Sequence, residues 1–124
     1  MKPEWITDVV IELARKLKEA GYRKEITVGD WVAHPENIAI WLVKYGTDKI
    51  WASKYIPIPD LSTCLRWLKG KTDFRVELWG HQRRETWICR WEGGLGDVTK
   101  WKEAPIPEEA AYLAMIKILK GEEK

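Results

Sequence analysis

The chain has 124 residues, a length that suits a single domain spanning 1–124 with a self-sufficient core. It is 45% hydrophobic and 32% charged, and 21 basic against 19 acidic side chains leave a net charge of +2. These well-mixed charges form no polyionic tail, and no apolar run reaches the roughly 20 residues of a membrane helix.

Trp5, Val9, Leu13 and Leu17 recur at helical spacing with Ile6 and Val10 beside them, which predicts an amphipathic helix over Glu4–Ala20. Thr7, Asp8, Glu12, Arg15, Lys16, Lys18 and Glu19 fill its solvent face. Pro3-Glu4 opens the segment and Gly21 closes it. Proline in a first helical turn gives up an N–H that has no intrahelical partner, and an acid there meets the positive end of the dipole. Glycine past the last turn accepts a left-handed conformation. Pro59-Asp60 with Gly70, and Pro107-Glu108 with Gly121, bracket two more helices in the same way.

Between the first two helices, Glu25–Val32 reads as an extended stretch carrying a Gly29-Asp30 turn signal, followed by a loop at His34–Asn37. Ile38–Val43 is apolar without alternation, the pattern of a central strand covered on both faces. Gly46-Thr47-Asp48 then turns the chain into a partner strand over Lys49–Ile56. The second helix, Pro59–Lys69, buries Leu61, Leu65 and Leu68 together with Cys64.

Phe74–Trp79 and Thr86–Trp91 both alternate with period two. A hairpin loop at 80–85 places Trp79 opposite Thr86 and Arg75 opposite Arg90. One face is then Phe74, Val76, Leu78, Trp87, Cys89 and Trp91, the core side. The other, partly wet, is Arg75, Glu77, Trp79, Thr86, Ile88 and Arg90. A glycine-rich turn at 93–97 leads to a last strand, Val98–Lys102. The third helix is apolar nearly all round over Ala110–Ile116, so it is buried on most sides; its alanines let it lie close to a sheet or to a second copy. The class is therefore α+β: a mainly antiparallel sheet of about five strands with three helices layered on both faces, an α/β/α sandwich. The repeated strand–helix order also admits an internal duplication.

Nine tryptophans are the compositional outlier, and most are expected in the core. Trp79 is the exception, because its strand parity groups it with Arg75 and Arg90. With Arg83 and Arg84 of the neighbouring loop these residues form the candidate binding surface, one that suits stacking on a nucleobase, a sugar or a partner's side chain. Glu77 and Glu85 dilute it, so a nucleic-acid partner ranks below a protein. Tyr112, Met115 and Ile116 are the candidate self-association residues on the third helix.

Other chemistry is faint. Cys64 and Cys89 lie far apart, as expected of two buried thiols in a reducing cytoplasm. Two cysteines and two histidines lack zinc-site spacing, so no metal is expected. The glycines at 93–96 precede a strand rather than a helix N-terminus, against a phosphate cradle. No nucleophile, base and orienting acid fall into a pattern, so no catalytic residue and no cofactor is assigned.

Tyr55-Ile56-Pro57-Ile58-Pro59-Asp60-Leu61, Cys64-Leu65-Arg66-Trp67-Leu68, the Trp-rich strand pair and Ala104-Pro105-Ile106-Pro107-Glu108-Glu109-Ala110-Ala111 together resemble small phage and prophage proteins of the phage ABA sandwich type. Lys24–Val32 is similar to the opening of uncharacterised proteins from phage-rich regions. The resemblance spans about residues 55–118, and the N-terminal helix is additional to it. It implies a sheet with helices on both faces and a family without an assigned activity, and it carries no catalytic residues. The functional expectation is a small non-enzymatic cytoplasmic accessory protein of phage or mobile-element type. It would act by binding a macromolecular partner, a protein before a nucleic acid; a Trp-lined sugar or small-molecule site is the remote alternative.

Overall fold

A computed structural model describes residues 2–24, 26–37, 39–44, 54–71, 76–83, 85–92 and 99–120. They divide into two compact units, Met1–Pro59 and Asp60–Lys124. The fold is α+β, and among the described residues it has three complete helices and two three-stranded antiparallel sheets. The expected five strands are thus six, shared between two sheets.

In the first unit, helix α1 runs Asp8–Glu19. It starts four residues later than Pro3-Glu4 predicts, because Thr7 supplies the cap: its hydroxyl accepts from Val10 N at 3.2 Å. The core stripe is Val10, Ile11, Leu13, Ala14 and Leu17, whereas Val9, expected in the core, is 53% exposed. Gly21, at φ 117°, ends the helix as its sequence predicts. Gly21 N donates to Lys18 O and Tyr22 N to Leu17 O, both at 3.1 Å, the paired bonds of a Schellman motif. Buried Tyr22 and Leu17 supply its usual apolar partnership.

Strands β1 (Trp31–Ala33), β2 (Ile40–Leu42) and β3 (Ile56–Ile58) form a sheet of order β2-β1-β3. Trp31 pairs with Leu42 on one side and with Ile58 on the other. The Gly29-Asp30 turn forms as predicted: Gly29 takes φ 98°, and the Asp30 carboxylate accepts from Thr27 N at 2.9 Å and from Lys24 Nζ at 2.7 Å. The described part of the apolar run, 39–43, is not central to the described sheet, however. Within the described sheet β2 is an edge with Leu42 37% exposed, and the covered centre is β1, where Val32 and Ala33 are buried. The hydrophobicity of this run instead serves a cluster of Ile26, Val32 and Val43, flanked by Trp41 and Tyr55 whose rings meet edge-on at 4.8 Å. The predicted turn at 46–48 and residues 49–53 of the predicted strand lie outside the described residues; of the described remainder, Lys54 is helical and Tyr55 a bend, and only Ile56 is strand, paired with β1 rather than with β2. Helix α1 lies against β3, whose Pro57 is tolerated because β3 is an outer strand of the described sheet.

In the second unit, helix α2 covers Leu61–Lys71, opened by Asp60, whose carboxylate accepts from Thr63 N at 2.8 Å. Cys64 and Leu68 are buried, while Leu61 and Leu65, expected beside them, are half-buried. Gly70 lies inside this helix rather than ending it. Strands β4 (Val76–His81), β5 (Thr86–Glu92) and β6 (Thr99–Ala104) follow as a meander in chain order. Helix α3 (Pro107–Leu119) closes the unit with Pro107, Glu108 and Glu109 in its first turn, the start its sequence predicts. It lies on β5 and β6 and against α2, and Ala110, Ala111 and Ala114 are wholly buried, which permits close approach. Sequential order here and β2-β1-β3 order in the first unit are different topologies, so the shared helix punctuation comes without a shared sheet.

Candidate tryptophan face of the second sheet

Alternation and register together build this surface. Partners across an antiparallel ladder share a face. The pairs Leu78–Cys89, Cys89–Lys102 and Trp87–Ala104 define one side, where Cys89, Trp91 and Ala104 are buried. The pairs Glu77–Arg90, Trp79–Ile88, Arg90–Trp101 and Ile88–Glu103 define the other. On that second side Trp79 is 42% and Trp101 is 54% exposed.

The hairpin register differs from its sequence expectation by two residues. Trp79 faces Ile88 rather than Thr86, and Arg90 faces Glu77 rather than Arg75. The reason is electrostatic and geometric: the loop is shorter than 80–85 because β4 continues to His81, and opposite charges come to face each other. A shift of two keeps every side chain on its face, so the division into core and wet sides holds. Trp87, on the core side at the end of its strand, is nonetheless 37% exposed.

The two exposed indoles stand on the outer strands with Ile88 and Arg90 of the middle strand between them. Strand spacing and a two-residue step put their Cα atoms about 12 Å apart. Ile88, flanked by Trp79 and Glu103 in register, is 8% exposed and forms an apolar floor. Arg90 Nη2 lies 3.0 Å from Glu77 Oε1, and the Thr86 hydroxyl donates to Glu103 Oε2. Among the described residues two carboxylates and one guanidinium therefore sit among the indoles, a balance that does not favour a polyanion. The surface offers flat aromatic area with fixed donors and acceptors, the mixture found at the energetic centres of protein interfaces.

Of the residues singled out from sequence, Trp79 and Arg90 share this face, and Arg83 is exposed in the hairpin turn. Arg75 and Arg84 lie outside the described residues. On α3, Tyr112 and Met115 are wholly buried within one chain, so neither side chain is presented to a second copy; Ile116 is half-buried. Trp101 and Glu103 escaped sequence reasoning. The signal was their parity in Thr99–Ala104, but assigning it to a face needs the β5–β6 register, which sequence periodicity does not supply.

Two further features bear on chemistry. Cys64 and Cys89 are free, buried thiols, as their spacing predicts. Burial pushes both up, Cys89 to about 11 and Cys64 further, where nearby Asp60 adds to the effect. Among the described residues no three His, Cys, Asp or Glu side chains group around a metal-sized point, and no helix is long and apolar enough to cross a membrane. No family model, no curated protein and no solved structure matches the chain.

Proposed function

We propose that this chain is a non-enzymatic accessory protein that binds a protein partner through the Trp79–Arg90–Trp101 face, in the cytoplasm and in the phage-type setting its sequence resembles. The observation supporting this reading is that two tryptophans 42% and 54% exposed share the open side of a sheet whose other side is core. Covering the exposed half of each indole removes on the order of 100 Å² of apolar surface, about 2–3 kcal/mol gross apiece. Tryptophan and arginine dominate such contacts in protein interfaces. Glu77 and Glu103 weigh against nucleic acid, because each adds an unfavourable charge beside a phosphate chain.

Affinity capture with the immobilised protein tests this reading when run beside the Trp79→Ala/Trp101→Ala variant. A discrete partner held by the wild-type protein and lost by the folded variant is the expected result. Equal capture by both, or salt-sensitive binding of labelled oligonucleotides that takes the partner's place, would overturn it.

A further inference from the structure

A second surface lies in the first unit, on residues that the tryptophan face does not use. A cleft of about 390 Å³ is lined by Arg15, Lys18 and Glu19 of α1, by Arg23 just beyond it, by Pro35 of the loop and by Ile56 of β3. That volume falls within the range of small-molecule sites. Three cations meet one carboxylate there.

The cations do different things. Arg15 is a strut: Nε donates to Pro35 O at 3.3 Å, Nη2 to His34 O at 3.0 Å and to Asn37 O, and Nη1 to Glu12 Oε1 at 3.2 Å. Its fork is committed to holding the 34–37 loop as one wall. Lys18 donates to Tyr55 O at 3.1 Å, which fixes its ammonium at the cleft. Arg23 uses only Nη1 among the described residues, donating to Tyr22 O at 3.0 Å and Lys18 O at 3.4 Å; its Nε–Nη2 edge carries no such bond. Burial and then the Arg23 charge hold Lys18 below the usual lysine range, so the two like charges lie close enough to oppose each other. An anion between them relieves that opposition.

We propose that this cleft binds a phosphomonoester, with Lys18 and the free edge of Arg23 as its ligands and Arg15 as the residue that positions the wall. The doubly charged group matches two adjacent single cations. A guanidinium edge pairs with two of its oxygens, and an ammonium serves as a point charge beside it. A monocarboxylate meets only one of the two cations. Pro35 and Ile56 give the remainder of an organic phosphate an apolar surface to lie on.

Titration calorimetry at low salt, with the full chain, tests the proposal using adenosine 5′-monophosphate, inorganic phosphate, adenosine and acetate. Binding of adenosine 5′-monophosphate, of inorganic phosphate or of both, without adenosine or acetate, supports it, and their relative strength separates an organic ester from the free ion. Arg23→Gln, at an exposed position, should weaken binding about tenfold or more, the worth of a lost charge-assisted hydrogen bond. Lys18→Met should do the same, and Lys18→Arg should retain part of it. Should Lys18→Met fail to fold, Arg23→Gln carries the test alone. Absence of phosphate binding, an unchanged affinity in Arg23→Gln, or an equal loss in Lys69→Met on α2 would overturn the proposal. The tryptophan face plays no part in this outcome, so the two surfaces stand or fall separately.

Discussion

Glu77 and Arg90 stand directly opposite each other on β4 and β5, with Glu77 Oε1 3.0 Å from Arg90 Nη2. The pair sets the electrostatics of the tryptophan face, since the only described arginine on that side is matched by a carboxylate across the ladder. It is also partly exposed, with side chains 33% and 40% accessible, so solvent screens it. A double-mutant cycle with Glu77→Gln and Arg90→Gln is expected to give a coupling of about 0.5 kcal/mol in urea unfolding. A coupling several times larger would mean that the pair is shielded from water and the face is not open.

Arg15 ties the 34–37 loop to α1 through three carbonyls, those of His34, Pro35 and Asn37. Replacing it by methionine keeps the stem and removes every donor. Stability should fall by about 2–3 kcal/mol, and the amides of Glu36 and Ala39 should exchange faster. Arg15→Lys should recover less than half, because an ammonium lacks the planar fork. Unchanged exchange at these amides would show that the loop holds itself, through the bonds from Glu36 N to His34 Nδ1 and from Ala39 N to Asn37 Oδ1.

The thiols make a pH prediction whose sign follows from burial. Their folded pKa values lie above the ordinary 9.0, Cys89 at about 11. The stabilisation they carry is fully present below pH 9 and is lost as pH rises through the folded values, because the unfolded chain then binds fewer protons. Urea unfolding should show stability declining between pH 9 and about 11, by up to about 1.4 kcal/mol per pH unit for each thiol. Cys89→Ala should shallow that slope. At pH 8 the native protein should also resist a thiol reagent that labels both cysteines once it is unfolded. Fast native labelling would contradict the burial of both.

How much of this was legible follows from the range of each signal. Gly21 and Pro107-Glu108 act within one turn of the backbone and were readable. Pro3-Glu4 misled because a hydroxyl that can accept a bond, at Thr7, outweighs a proline that only avoids losing one. Side-chain parity in 76–91 was readable because it depends only on period two, while the register, blind to shifts of two, was not. Trp101 joins Trp79 only through the β5–β6 pairing, a non-local fact. The cleft was hidden for the same reason. Arg15 and Lys18 look like solvent-facing helix charges until partners 19–37 residues away take up their donors.

The central claim, that the Trp79–Arg90–Trp101 face takes a protein partner, is tested most directly by site-specific photocrosslinking in cells that naturally make the protein. A photoreactive residue is placed at position 101 and, as reference, at the exposed Arg66 of α2. The account predicts one discrete protein adduct from position 101, absent from position 66 and lost when Trp79→Ala is added. No adduct at 101, or the same adducts from both positions, would contradict it.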